Sequence, residues 1–449
     1  MTIAPKRIRE FSQFVDKPGY TPLPVFRHSQ TFIEEVEGDH VWDGSDFKIR
    51  IGINQKNENY NLDEIITGET TELERRPSWG DKGFYIPFSN RLDEDDMPQS
   101  ESLIQLGMVG SGKTNTLGVF IWGFFKRPTK KTVLVISHKY ATVMRSFQTI
   151  GERLEERYSA KTYYISFGGA NPYRIPFDFF DVKDVVKWFN MSAEDERSFS
   201  RYFSRADGNT HNAMLRFLDT PKGKKYQDFW EDMMTESRFI AMNKSQTFSI
   251  TQNSVYFLDL DSAFQQFSDN QVDVIVSKYC AYFLKFVKEK RQETFEKYKE
   301  LEAKPPAKEI WQGMIAFDEY GDLVQSKGLR HTIRRVDSIG SMARQEGMSL
   351  FLSAQSRYGW SNATRTLFQA AHILHYRASD KTDTKWVCEN MFGERSSAAK
   401  AAQKICEFSF PQSKDSNSHV GKVVYFSKKT NSVVPVRIIP FETLSESAA

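Results

Sequence analysis

The chain has 449 residues, of which 27% are charged and 39% hydrophobic. That is enough apolar material for two or three folded domains and too much for a disordered chain. Its 61 Lys and Arg against 58 Asp and Glu leave a net charge of +3, which excludes a histone-like polycation and confines any nucleic-acid contact to local patches. The cysteines, Cys280, Cys388 and Cys406, are too few and too scattered for a disulfide framework or a CxxC zinc site. A reducing, cytoplasmic setting is expected. The most apolar run, Leu117 to Phe125, is half of the roughly 20 residues that a membrane span requires. The N-terminal MTIAPKRIREF has no apolar signal core, so neither a span nor a secretory signal is expected.

Residues 1–95 read as a small β-rich N-terminal domain. Phe47 to Ile53 alternates apolar and polar residues like a half-exposed strand, and Gly83 to Phe88 offers another. The acidic run Asp93 to Asp96 reads as a linker. Beyond it, short apolar strands alternate with longer helical segments, the rhythm of an α/β fold with a mostly parallel sheet. Expected strands are Leu103–Leu106, Val133–Ser137 and Tyr163–Phe167 in a first part of the core, residues 96–180. Residues 181–250 break the rhythm and read as a mainly helical insertion, with Ser192 to Asp195 as a helix-capping sequence and Ala206 to Thr210 as a breaker. A second part of the core, residues 251–440, carries strands Val255–Leu258, Met314–Phe317, Ser349–Ser353 and His372–Tyr376. A long charged helix, about Val274–Glu302, comes before the Pro305-Pro306 break. A hairpin, Lys422–Phe426 and Val433–Ile439, closes one sheet edge, and 441–449 form a tail.

The most specific signal is Gly107-Met108-Val109-Gly110-Ser111-Gly112-Lys113-Thr114, which fits G-x-x-x-x-G-K-[ST] at every position. An apolar strand precedes it and a helix-compatible segment follows, the context a phosphate loop needs. The glycines let backbone N–H groups turn inward around a phosphate, and the helix N-terminus adds partial positive charge there. Lys113 is expected to reach the β- and γ-phosphates, and the Thr114 hydroxyl to ligate Mg²⁺.

Met314 to Phe317 ends in Asp318-Glu319, an apolar strand with two carboxylates at its tip. By itself this is an ordinary strand ending in a solvated turn. Downstream of a phosphate loop it reads as a metal-serving Asp318 followed by Glu319, which orients and polarises the attacking water. Asp259 and Asp261, after Val255–Leu258, are a rival pair without an adjacent Asp-Glu.

Together these blocks resemble the HerA/FtsK superfamily of ring-forming DNA-translocating ATPases, which also contains type IV secretion coupling proteins and viral packaging ATPases. The likeness runs over about residues 100–440. It is carried by the phosphate loop, by Phe317-Asp318-Glu319-Tyr320-Gly321-Asp322-Leu323, and above all by Met342 to Ser356, which resembles the family's (A/G)RxxG, apolar strand and terminal Gln. Asn171-Pro172 and Ile373 to Arg377 match weaker blocks. The resemblance implies a RecA-like P-loop core that binds ATP with Mg²⁺. Gln355 then falls where the family places a γ-phosphate sensor. Arg344 falls at the position of an arginine finger supplied to the neighbouring subunit, and Arg377 is a weaker candidate for a second intersubunit contact. It further implies a homohexamer on double-stranded DNA, acting in genome packaging, conjugation or DNA processing, with a nuclease, capsid portal or secretion channel as partner. The alternatives are a secretion or pilus ATPase that moves protein, or a nucleotide-dependent switch with little turnover. The chain departs from many relatives in having Ser137-His138-Lys139 for Asp-Pro-Lys and Gln355-Ser356-Arg357 for Gln-Arg-Pro.

Remaining features have plainer readings. Lys126 to Lys131 reads as a solvated loop, whereas Lys327, Arg330, Arg334 and Arg335 leave DNA contact open. His372 and His375, three apart on a strand, point to opposite faces and make no metal site. The 36 phenylalanines fit core and interface better than base stacking.

Overall fold

The structure, a computed structural model, describes residues 48–54, 83–87, 102–125, 129–169, 171–236, 239–241, 248–327, 329–356, 372–378, 380–409, 421–427 and 432–438. The strands are β1 (Lys48–Asn54), β2 (Gly83–Pro87), β3 (Ser102–Leu106), β4 (Lys130–Ser137), β5 (Lys161–Ile165), β6 (Ile175–Pro176), β7 (Ile240–Ala241), β8 (Ser254–Asp259), β9 (Trp311–Asp318), β10 (Met348–Ala354), β11 (His372–His375), β12 (Lys422–Ser427) and β13 (Ser432–Ile438). Among the described residues an 11-stranded sheet runs β2-β1-β13-β12-β11-β3-β10-β9-β4-β8-β5. From β11 to β5 each neighbouring pair is parallel. From β11 to β2 each is antiparallel. This is an α/β fold of the RecA-like P-loop type, as the resemblance implies.

The central strands have no polar face because both faces are covered. On β3, β4, β9 and β10 every residue but Lys130 is buried. Alternate side chains sort into two cores. Leu103, Val133, Val135, Phe257, Ala316 and Phe351 pack under helices α1 (Lys113–Phe125) and α2 (Tyr140–Tyr158). Helix α1 is apolar nearly all round and is buried nearly all round, from Thr116 to Phe125, as a helix inside a core must be.

The opposite face carries Ile104, Leu134, Ile136, Leu258, Ile315, Phe317, Leu350 and Leu352. It packs against the insertion helices α3 (Val182–Trp188), α4 (Ala193–Arg205), α5 (Thr210–Leu218) and α6 (Gln227–Glu236), and against those that follow. These are α7 (Leu260–Gln266), α8 (Asp269–Glu300), α9 (Tyr320–Lys327) and α10 (Arg330–Glu346). After β11 come α11 (Lys381–Phe392) and α12 (Ser397–Ser409). Among the described residues of 181–250 the only strand is β7, which pairs with β6 just before the segment. Ser192 caps α4 by accepting the Asp195 N–H at 3.2 Å. Most of the insertion's aromatics are core, Phe229 being exposed: Trp188 stacks on Phe239 with centroids 5.6 Å apart, and Phe199 meets Phe217 at 5.7 Å. Each such pair contributes about 1 kcal/mol beyond its buried area.

A buried node ties the insertion to the core. Asp273 on α8 is fully buried. It accepts the His331 and Thr332 N–H groups, both at 2.8 Å, and so caps the start of α10. It also accepts the Thr332 hydroxyl at 2.7 Å and pairs with Lys187 of α3. Beside it, Asp184 of α3 pairs with the buried Lys278 of α8.

The C-terminal strands β12 and β13 form the expected hairpin, but it does not close an edge. β13 pairs on its other side with β1, and among the described residues β2 is the last strand. The alternating β1 sequence explains this, since a strand with one apolar face gains most by extending a sheet that already has a core. The described pairing of β1 with β13 runs from Gly52 opposite Ile438 to Asn54 opposite Val436. The other residues of 1–95, and the tail 441–449, lie outside the described ones.

Candidate phosphate-loop site

The loop Gly107–Gly112 runs from the end of β3 into α1. Strand β3 lies between β11 and β10, and both tie down the loop's start. The Gly107 N–H donates to Ala354 O at 3.1 Å, and the Met108 N–H to Arg377 O at 3.0 Å. A Cβ on Gly107 would stand 2.3 Å from Tyr376 Cβ, so only glycine lets the two strands approach. Tyr376 is fully buried and bonds through its hydroxyl to Thr116 of α1 and, at 3.4 Å, to Gln105 Oε1. Gly110 and Gly112 take φ of 76° and 98°, the left-handed region that L-residues avoid. Past Gly107 the loop opens: a Cβ on Gly110 would meet nothing within 4 Å, and Val109 is 68% exposed.

Lys113 is 5% exposed and folds back over this loop. Its Nζ donates to Gly107 O at 2.7 Å and to Met108 O at 3.0 Å. Burial lowers its pKa from the usual lysine value, and the charges of Glu319 and Asp318 partly restore it. The Ser111 hydroxyl is buried without a hydrogen-bond partner among the described residues. Thr114 is half-buried in the first turn of α1.

Asp318 and Glu319 stand at the end of β9, separated from β3 only by β10. Asp318 is 2% exposed, and its carboxyl is pushed up to about 6, by burial first and by the Glu319 charge second. The Ser137 hydroxyl, at the end of β4, reaches it at 3.5 Å. Glu319 takes φ of 67°, a conformation that costs a non-glycine residue about 1–2 kcal/mol. This turn aims the side chain back towards the loop: Glu319 Oε1 lies 3.9 Å from Lys113 Nζ and 3.9 Å from Lys139 Nζ. Oε2 is buried without a hydrogen-bond partner among the described residues. Lys139 is anchored in turn by Asp322 of α9 at 2.9 Å, with His138 Nε2 3.7 Å from the same oxygen.

The structure thus brings the loop residues and the acidic pair together at the C-terminal ends of β3 and β9, where parallel α/β sheets bind ligands. Gln355 follows β10 between them and is half-buried. Arg344 falls in α10, and its side chain lies outside the described residues. Arg377, half-buried, contributes its carbonyl to the loop. The rival Asp259 caps α7, accepting the Ser262 N–H at 3.1 Å, and β8 lies on the far side of β4. His372 and His375 are both buried: Nδ1 of His372 meets the Tyr425 hydroxyl at 2.6 Å, and Nε2 of His375 meets the Thr384 hydroxyl at 2.9 Å. The holding of the acidic pair by Ser137 and Lys139 was not visible in the sequence, because it depends on β4 being the strand next to β9.

The residues present fit a nucleoside triphosphate: inward-turned glycines, a buried lysine amine, an orphaned Ser111 hydroxyl and a helix N-terminus converge on one open loop. Among the described residues no group of three or more His, Cys, Asp or Glu could hold a metal ion by itself. A phosphate-borne Mg²⁺ asks less, needing only one or two protein oxygens beside the phosphates, and Thr114 and Asp318 fit that need. Among the described residues no helix is long and apolar enough to cross a membrane.

Neither a family model nor a curated protein matches the sequence. Solved structures do. VirB4 of Thermoanaerobacter pseudethanolicus is 11% identical, with 88% of this chain and 97% of that one covered at a TM-score of 0.55. The pCW3 conjugation coupling protein TcpA is 11% identical, covering 92% of this chain and 69% of that one at 0.37. The genome packaging NTPase B204 from Sulfolobus turreted icosahedral virus 2, complexed with ATP-γS, is 10% identical, covering 76% and 100% at 0.32. At such identities the likeness concerns the fold, and of these only the first superposes closely enough to define it. The architecture of the chain is therefore similar to that of the VirB4 structure.

Proposed function

We propose that this chain is an ATP hydrolase that works as a homohexameric ring and translocates double-stranded DNA. The observation that carries the reading is the meeting of a phosphate-loop lysine with the Asp318–Glu319 pair, Lys113 Nζ standing 3.9 Å from Glu319 Oε1. Gly107, Gly110, Ser111 and Gly112 form the cradle for the triphosphate. Lys113 neutralises its β- and γ-phosphates, and Thr114 and Asp318 hold the Mg²⁺ that arrives with ATP, which supplies charge neutralisation at the γ-phosphate. Glu319 orients and polarises the attacking water. Gln355, at the strand tip between the two halves, hydrogen-bonds the γ-phosphate. Arg344 enters from the next subunit and stabilises the charge that builds in the transition state, a contribution of roughly a thousandfold or more. A finger supplied in trans makes hydrolysis conditional on the ring. Contacts to the duplex run through its phosphates and carry no sequence preference. The process is genome packaging, conjugative transfer or DNA processing with a nuclease, a capsid portal or a secretion channel as partner.

Phosphate release measured with and without duplex DNA, over a range of protein concentrations, tests this. The expected result is a rate per subunit that rises steeply with concentration and again with duplex DNA. A ring whose turnover ignores DNA would fit the protein-moving alternative, and absence of phosphate release in a single turnover would fit a switch. Mixing Lys113→Ala with Arg344→Ala protein should restore part of the activity lost in each, and no restoration would reject the trans role of Arg344.

A further inference from the structure

Strand β4 lies next to β9, and their register sets Ser137 opposite Asp318. The chain beyond Ser137 therefore passes the acidic pair before α2 begins. This short passage touches both carboxylates. The Ser137 hydroxyl reaches Asp318 at 3.5 Å and accepts the Lys139 N–H at 3.3 Å. The Lys139 carbonyl is held by the first turn of α2, taking the Thr142 and Val143 N–H groups at 3.0 and 3.2 Å. With its backbone fixed at both ends, Lys139 extends its ammonium to Asp322 at 2.9 Å and to Glu319 Oε1 at 3.9 Å.

We propose that Lys139 is the positioning residue for Glu319, a role that rests on the reading of this site as a hydrolase. Two cations address the same oxygen, Oε1, from 3.9 Å each, but only one of them can stay. Lys113 is bonded to its own loop carbonyls and must leave them to meet a phosphate. Lys139 is instead tethered to α9 through Asp322. When Lys113 turns to the nucleotide, Lys139 alone keeps the carboxylate aimed. The choice of oxygen matters. With Oε1 held, Oε2 remains, buried and without a hydrogen-bond partner among the described residues, and it is the oxygen left to accept a hydrogen bond from water. The left-handed turn at Glu319, with φ of 67°, brings the side chain within this reach, and the ammonium fixes its rotation.

The test uses the full chain and its Lys139→Met, Lys139→Arg and Glu319→Gln forms, each measured for ATP affinity and for phosphate release under ring-forming conditions. Lys139 is 38% exposed, so its replacement should leave the fold intact, which a melting curve checks. Lys139→Met is expected to keep ATP affinity within about threefold and to lower kcat roughly tenfold to a hundredfold, part of the usual worth of a placed general base. Lys139→Arg, which retains charge and reach, should recover most of it. In the Glu319→Gln background Lys139→Met should cost nothing further. An unimpaired Lys139→Met beside an inactive Glu319→Gln would overturn the positioning role and leave the hydrolase reading standing. Affinity and kcat falling together, without recovery in Lys139→Arg, would overturn it too, as a structural effect. An active Glu319→Gln would remove the role of Glu319 and the proposal with it.

Discussion

Replacing Lys113 by alanine removes the charge on which the site balances. The amine is 5% exposed and makes two short hydrogen bonds to Gly107 O and Met108 O. Its other neighbours are the buried carboxylates of Glu319 and Asp318. Without it, a triphosphate enters a pocket whose nearest fixed charges are negative. One unit pair about 4 Å apart is worth about 4 kcal/mol at an effective dielectric constant of 20, so affinity should fall about a thousandfold. Nucleotide-dependent melting reads this directly. At a hundred times the parent's Kd, ATP adds about 2.7 kcal/mol to the stability of the parent. At the same concentration the variant, at about a tenth of its own Kd, should gain below about 0.1 kcal/mol. Phosphate release should vanish in parallel. A variant stabilised by ATP as strongly as the parent would show that the amine does not face the phosphates. The assignment of the loop would then fall, whatever the variant's melting point without nucleotide.

Three further outcomes are expected. Glu319→Gln keeps the shape of the side chain and should retain ATP while lowering single-turnover phosphate release about a hundredfold or more; undiminished release would reject Glu319 as the group that activates water. Asp273→Ala leaves Lys187 unpaired and uncaps α10, and should cost about 3–5 kcal/mol in denaturant unfolding, against well under 1 kcal/mol for an exposed surface pair such as Lys285–Glu289; equal effects would dissolve the node. Acid should destabilise the fold through His375, whose pKa burial lowers to about 4. The unfolded chain, with an ordinary histidine pKa near 6.5, then binds more protons, so this part of stability is complete above pH of about 6.5 and is lost as pH falls towards 4. The loss at pH 5 is about 2 kcal/mol, and His375→Gln should lack that portion of the pH slope; an unchanged slope would exclude His375 as its source.

What the sequence revealed and what it concealed follow from the range of the interactions. The glycine spacing from Gly107 to Gly112 is a local backbone requirement, so the loop and its flanking strand and helix were legible without a fold. So were the strands, because residues buried on both faces leave continuous apolar runs such as Leu134–Ile136 and Ile315–Phe317. The order of those strands leaves no trace in local pattern. That β10 stands between β3 and β9, and that β1 extends the sheet past the hairpin, are long-range pairings which alternation alone does not specify. The same holds for Tyr376, whose sequence looks like an ordinary strand end, although its Cβ forbids any side chain at Gly107. Asp273 reads as one polar residue in an amphipathic helix; only the packing of α8 on α10 makes it a cap.

The strand order explains why Lys113 and Asp318 can stand so far apart in sequence and still meet. In a parallel sheet each return to the same end requires a crossover, and the chain uses those between β4 and β9 to hang its insertion on one face. This face is also where α10 packs. The helix begins at the Asp273 node, which joins it to α3 of the insertion, and ends at Glu346, just before β10. β10 in turn delivers Ala354 O to Gly107 and carries Gln355 at its tip. The insertion is thus joined to the phosphate loop through α8, α10 and β10. The buried Lys187–Asp273 and Lys278–Asp184 pairs, expensive to place in a core, sit at that joint.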